Sequence, residues 1–223
     1  LGAGYDCDYA NAEVLLTRMS VENGRIVLPD GMSYRMLVLQ NCTSPSEDIS
    51  RLVGRFQSLH VSPVPSTERS VDVARKLREL VFNGATVVGA PPETSGDVIN
   101  PRESDSEVQK IAAEIWGDLD GKIRTERSFG KGRVVWGKTP REVLLSDGIQ
   151  PDFRFTEQER TPEKFDYIHR TTEDAEIYFV INRTNKSESS DFTFRVSGKQ
   201  PEIWDAVTGE MRDAKAFSQA DGC

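Results

Sequence analysis

The sequence predicts an α/β fold, an open flavodoxin-like parallel sheet followed by a partial antiparallel β-sandwich, and three observations carry that reading. Helical and strand patterns alternate along the first two thirds of the chain, the mark of β/α units around a parallel sheet. From Asp147 onward the apolar residues switch to a period of two, as in half-buried antiparallel strands. The length of 223 residues favours two modest domains. The expected domains are residues 1–148, the α/β part, and residues 149–223, the sandwich.

Taken in order, Ala12, Leu15, Leu16 and Met19 form one helical face, with Asp8 or Asn11 available as its cap. A short strand over Arg25 to Leu28 and a Pro29-Asp30-Gly31 turn lead to Met36-Leu37-Val38-Leu39, an apolar run that reads as a buried strand. Between Cys42 and Thr67 the alternation is interrupted. Ile49, Leu52, Val53, Phe56 and Leu59 suggest an inserted amphipathic helix covering a sheet edge. Val73, Ala74, Leu77, Leu80 and Val81 predict a helix stopped at Asn83-Gly84, before a strand at Thr86-Val87-Val88-Gly89. Val108, Ile111, Ala112, Ile115, Trp116 and Leu119 predict the next helix, with Ser104 and Glu107 spaced as a capping box. Arg133 to Trp136 is a third strand, and Thr139-Pro140-Arg141-Glu142 opens a further helix. The sandwich strands are Phe153 and Phe155; Phe165, Tyr167 and His169; Ile177, Phe179 and Ile181; Phe192, Phe194 and Val196; then two short strands around Trp204 and Met211. Five or six strands are few for a closed sandwich, so this domain is expected to be truncated.

A net charge of −8, with no basic block interleaved with aromatics, argues against nucleic acid as a partner. No apolar run approaches the roughly 20 residues needed to span a bilayer, so no membrane partner is expected and the chain reads as soluble. Cys7, Cys42 and Cys223 are far apart and leave one thiol over in any disulfide scheme, and no metal site or cofactor is expected. The chain begins with Leu1 and ends at Cys223 after strand-like sequence, so both ends read as cuts in a longer protein; cellular location stays open, with a periplasmic or secreted parent as one reading.

The candidates for chemistry are few. Asp6, Asp8 and Glu13 are near in sequence and could supply paired carboxylates for glycosidic acid/base work or bind calcium, against helix capping by Asp8 and a solvated acidic face as the plainer reading. Cys42 follows a strand, as an amidotransferase nucleophile would, with His60 as its base. The Gln40-Asn41-Cys42-Thr43-Ser44 context lacks the glycines of a nucleophile elbow. Gly130-Lys131-Gly132 reads as a turn, since Val135 stands where a dinucleotide fingerprint needs its third glycine. Tyr167, Tyr178 and Trp204 are candidate platforms for a sugar ring, against core packing as the plainer role.

Several phrases together carry a resemblance: Gly4-Tyr5-Asp6-Cys7-Asp8-Tyr9, Val27-Leu28-Pro29-Asp30-Gly31-Met32-Ser33-Tyr34-Arg35, Gly84 to Gly89, Phe165 to Arg170, Ile177-Tyr178-Phe179-Val180, and Ile203-Trp204-Asp205 with Thr208-Gly209-Glu210. They resemble the α-L-rhamnosidase-like glycoside hydrolases of large bacterial enzymes. The resemblance implies a flavodoxin-like domain, similar to non-catalytic class I glutamine amidotransferase-like and β-galactosidase trimerisation domains, then a β-sandwich, both downstream of a catalytic (β/α)8 barrel. The family's catalytic acids would then lie upstream of residue 1, with the Asp6 and Asp8 loop at most lining the barrel's mouth. The expectation is a non-catalytic accessory or assembly region whose partner is the upstream catalytic domain or carbohydrate, with homo-oligomerisation open. A stand-alone hydrolase using Asp6, Asp8 and Glu13 or Cys42 and His60, and a glycan-binding module, are the alternatives.

Overall fold

The computed structural model describes residues 4–39, 58–61, 69–95, 101–156, 160–161 and 164–219. They fall into two compact units, one over Asp6–Ile149 and one over residues 150–219 with residues 4 and 5.

The first unit runs β1 (Cys7–Ala10), α1 (Ala12–Arg18), β2 (Ser20–Glu22), β3 (Arg25–Val27), β4 (Ser33–Tyr34), β5 (Met36–Leu39), β6 (Ser58–Val61), α2 (Arg69–Asn83), β7 (Thr86–Val88), α3 (Pro101–Trp116), β8 (Glu126–Phe129), β9 (Gly132–Val135) and α4 (Pro140–Ser146). β2, β3 and β4 form a small antiparallel meander. The main sheet has the order β1-β6-β5-β7-β9-β8, parallel except for the β8 edge. The open parallel sheet is therefore present. In chain order its five parallel strands run first-third-second-fourth-fifth, unlike the second-first-third-fourth-fifth order of flavodoxin. Residue character accounts for the placement: β1 has two exposed central residues and suits an edge, whereas β5 is buried over Met36, Leu37 and Val38 and suits the centre.

Leu15, Met19, Ile26, Leu37, Leu77, Leu80, Val81, Val87, Ile115, Trp116 and Val134 make one apolar core between helices and sheet. Across the outer faces of α2 and α3, Arg75 pairs with Glu107 at 2.6 Å and Arg78 forms a two-pronged pair with Glu114 at 2.7 Å. Exposed pairs of this kind contribute about 0–1 kcal/mol each and chiefly fix helix register.

One local expectation is narrowed and two change. Asn11 caps α1, accepting from the Val14 N–H at 2.9 Å, while Asp8 lies in β1. α3 opens at Pro101, where the missing N–H costs nothing, so Ser104 and Glu107 are not its cap and Glu107 serves Arg75 instead. Leu59, expected on an inserted helix, lies in β6 opposite Asp8 and Leu37; the rest of that predicted helix falls outside the described residues. Ser58-Leu59-His60-Val61 alternates polar and apolar residues, and ladder partners on both sides hold it as a strand.

The Gly130-Lys131 turn joins β8 to β9, and Gly132 is needed because a Cβ there would lie 2.3 Å from the carbonyl oxygens of both Ala85 and Val81. α4 carries the expected capping box: the Glu142 N–H donates to Thr139 Oγ1 at 3.2 Å and the Thr139 N–H to Glu142 Oε2 at 2.6 Å. Thr139→Ala should cost about 1 kcal/mol, measurable as a lower denaturant midpoint with an unchanged slope.

The second unit contains β10 (Phe153–Phe155), β11 (Phe165–Thr171), β12 (Glu176–Asn182), β13 (Phe192–Phe194), β14 (Glu202–Trp204) and β15 (Met211–Asp213). Among the described residues these make three two-stranded antiparallel ladders, β10–β13, β11–β12 and β14–β15, so a two-sheet sandwich is not established. Two ladders share an aromatic core of Phe153, Phe155, Phe165 and Tyr167, against which Tyr178, Val180 and Phe194 pack. The β14–β15 ladder is exposed along both strands.

Candidate functional site

The three N-terminal carboxylates are not gathered. Asp6 precedes β1 and Glu13 lies in the first turn of α1, beyond the other end of that strand. At roughly 3.3 Å per strand residue, the four residues of β1 hold those two well apart. Asp8 accepts a hydrogen bond from the Tyr34 hydroxyl at 2.8 Å, and Asp6 accepts from the Cys7 N–H at 3.0 Å. Burial, then the Asp8 hydrogen bond and the charges on Asp8, Asp30 and Asp6, push the Tyr34 hydroxyl far above its ordinary value, so it stays a donor. Among the described residues, no group of three or more His, Cys, Asp and Glu could hold a metal ion.

Cys42 lies outside the described residues, so the Cys42 and His60 pair has no described geometry. His60 sits in β6, in register with Tyr9 and Val38. At the C-terminal rim of the parallel strands, where open α/β sheets bind ligands, the segment after β7 borders a hollow of about 370 Å³. Pro91, Pro92 and Trp116 line it together with Glu93 and Gln109. Gln109 is engaged with the Glu93 carbonyl oxygen at 2.9 Å, and the Trp116 indole N–H donates to the Gly89 carbonyl oxygen at 2.8 Å.

The three aromatic candidates have separate environments. Tyr167 is a core residue, 4.9 Å from Phe153 between ring centroids. Tyr178 is partly buried and its hydroxyl donates to Asp152 at 3.0 Å. Trp204 is 63% exposed, with its indole N–H donating to Glu202 at 3.0 Å and Met211 directly opposite across the ladder.

Among the described residues, the densest ionisable cluster is one that sequence reasoning missed. Asp152, just before β10, is 2% exposed. One carboxylate oxygen accepts from His169 Nδ1 at 2.8 Å; the other accepts from the Tyr178 hydroxyl at 3.0 Å and from Arg195 at 3.3 Å. His169 Nε2 faces Glu176 at 2.6 Å, and Glu176 also accepts from the Thr171 hydroxyl at 2.7 Å. Tyr178 stacks on the imidazole, centroids 4.0 Å apart and planes within 12°. Antiparallel register produces this: His169 lies opposite Tyr178, and Thr171 opposite Glu176, on the core-facing side of β11–β12.

Burial disfavours the charged form of each member, yet the contacts outweigh it. Asp152 and Glu176 hold His169 above its ordinary 6.5, and His169 with its neighbours holds Asp152 and Glu176 below their ordinary carboxylate values. In its protonated form the His169 imidazolium donates from both ring nitrogens, one to each carboxylate. It also fills the interval in which a glycosidase pair would place sugar and water, and leaves His169 no nitrogen for a substrate. The hydrogen bonds of His169 thereby tie the residue before β10 to both strands of the β11–β12 ladder. Sequence placed His169 on the face of Phe165 and Tyr167, but nothing marked Asp152, 17 residues away, as its partner.

The family model for alpha-L-rhamnosidase, glycoside hydrolase family 106, matches residues 1–58 and 46–218. A protein of Formosa agariphila, named as a candidate beta-glucuronidase, is 29% identical over 220 residues, which is 98% of this chain and 15% of that protein. The structure of a rhamnosidase from Novosphingobium sp. PP1Y superposes with a TM-score of 0.70 at 28% identity, over 92% of this chain and 17% of that one. The chain thus spans about a sixth of the length of these relatives. No helix among the described residues is long and apolar enough to cross a membrane. With the family model matched over nearly its whole length, the chain belongs to the alpha-L-rhamnosidase family of glycoside hydrolases.

Proposed function

We propose that these residues form a non-catalytic accessory region of a larger rhamnosidase-like glycoside hydrolase, supporting or assembling with the part that carries the chemistry. The observation that carries the reading is the pairing of a family match along the chain with a span of only 15% and 17% of two relatives. The environments of the described carboxylates agree with it: Asp6, Asp8 and Glu13 are dispersed along β1 and α1, and Asp152 and Glu176 are committed to His169. In this reading the α/β unit and the aromatic unit act as separate domains that pack against upstream sequence.

Purified residues 1–223 should show no turnover of an aryl α-L-rhamnoside or an aryl β-glucuronide, the two sugars suggested by the relatives' names. Turnover abolished by an Asp6→Ala, Asp8→Ala double variant would overturn the reading in favour of a self-sufficient hydrolase.

A second reading, glycan binding, rests on Trp204, the most exposed aromatic of the three candidates. An apolar sugar face suits such a surface. Isothermal calorimetry with rhamno-oligosaccharides should then show binding that Trp204→Ala removes; no heat at millimolar sugar would dismiss this reading.

A further inference from the structure

The β11–β12 ladder is apolar on both faces. Its inner face, with Phe165, Tyr167, Tyr178 and Val180, meets the aromatic core. On the opposite face Ile168 pairs with Phe179, flanked along β12 by Ile177 and Ile181. Ile177 is 43%, Phe179 50% and Ile181 41% exposed. A strand with one face on the core and one in water normally alternates apolar with polar residues, whereas a strand buried on both faces reads as a continuous apolar run. Ile177-Tyr178-Phe179-Val180-Ile181 is such a run, ending on one side at Glu176 and on the other at Asn182. Across the ladder the apolar patch is bounded by Arg170, opposite Ile177, and Asp166, opposite Ile181, which give it a polar rim of both signs.

From this geometry we infer that the outer face of β11–β12 is a docking surface for an apolar layer of the same polypeptide, contributed by sequence outside residues 1–223. The inference rests on the accessory reading above, and it names the partner surface. Two observations select this occupant. First, the patch is small: its side chains leave on the order of 300 Å² uncovered, well below the about 800 Å² per partner of a stable association between separate molecules. A covalently tethered layer loses far less translational and rotational freedom on docking, so a patch of this size favours a tethered layer over a second copy. Second, the relatives that this chain matches are about six times its length, so ample polypeptide is at hand to supply the layer.

The test is cysteine accessibility on the inferred outer face. F179C, with I177C as a second position should the first perturb folding, is treated with a maleimide in residues 1–223 alone and in the complete polypeptide, and modification at the chosen position is followed by peptide mass. The expected result is rapid labelling in the isolated chain and labelling at least about ten-fold slower in the complete protein, the protection a covered position shows when access needs local opening. Equal rates in the two contexts overturn the inference. Protection that grows with concentration in the isolated chain also overturns it, because the occupant is then a second copy. Rhamnoside turnover by the same complete protein is measured in parallel and separates the two levels. Turnover with position 179 unprotected sinks the docking surface alone; protection in a protein without glycosidase activity leaves the surface standing and removes the accessory reading.

Discussion

Phe153→Ala should destabilise the second unit by about 3–5 kcal/mol, the cost typical of emptying a fully buried phenylalanine site. Phe153 is 0% exposed and is the largest fully buried side chain among the described residues. Its ring lies 4.9 Å from Tyr167, 5.5 Å from Phe194, 5.6 Å from Phe192 and 6.0 Å from Phe155. Residues from β10, β11 and β13 thus meet on one side chain, and Phe165, 5.0 Å from both Phe155 and Phe192, joins the same three strands from β11. Stable domains have only about 5–15 kcal/mol in total, so a unit of two-stranded ladders should lose most of its cooperativity. Urea denaturation followed by near-ultraviolet circular dichroism, which reports ordered aromatics, measures the effect. Phe153→Leu should recover much of the loss, and equal effects of the two substitutions would mean that ring packing is not what stabilises the unit.

Asp152→Ala should cost a similar amount, about 3–5 kcal/mol, for a different reason. Removing one member of a buried charged cluster leaves the others desolvated and unpaired. Here His169 loses its Nδ1 acceptor, while Tyr178 and Arg195 each lose a hydrogen bond. Asp152→Asn preserves shape and an acceptor but not charge, and should fall between wild type and alanine.

The same cluster fixes the pH dependence. His169 has a raised pKa in the fold, so its contribution is fully present below its unfolded value near 6.5 and is lost as pH rises through the higher folded value. Asp152 and Glu176 have depressed values, so theirs is present above the unfolded values of 3.8 and 4.5 and is lost as pH falls through the lower folded ones. The stability of this unit should therefore be greatest between about pH 4.5 and 6.5. His169→Gln should flatten the alkaline limb of the profile. A profile that keeps rising above pH 7 in the wild type would contradict a doubly donating imidazolium.

Local pattern was enough where one element's own residues settle its form. The apolar stripes of α2 and α3, the Thr139 and Glu142 box of α4, and the apolar runs of β5 and β7 lie where periodicity and capping put them. In the second unit, period two correctly marked β10 to β13 and put Phe165, Tyr167 and His169 on one face. Elements whose form depends on a neighbour were harder to read. β1 has the sequence Cys-Asp-Tyr-Ala, short and with no clear period, and becomes a strand because β6 offers it a ladder. Leu59 belongs to β6 for the same reason. β8 has too little apolar character to announce itself and is held as the outer arm of a hairpin on β9.

The candidate site follows the same division. Sequence proximity suggested Asp6, Asp8 and Glu13, but an extended strand moves neighbours apart rather than together. The groups that do converge, Asp152, His169, Glu176, Tyr178 and Arg195, are drawn from four separate stretches of chain by strand register and by the approach of β10 and β13 to β11–β12.

By itself, then, the sequence determined the helices, the central strands, the change of period near residue 147 and the family resemblance, because each is written in contiguous residues. Only the tertiary structure decided the strand order, the pairing of the later strands two by two, the polar lock on His169 and the uncovered face of β12. Those depend on which distant segments meet, and the free energy of such meetings lies in shared burial and in hydrogen bonds between segments, which no local window of sequence contains.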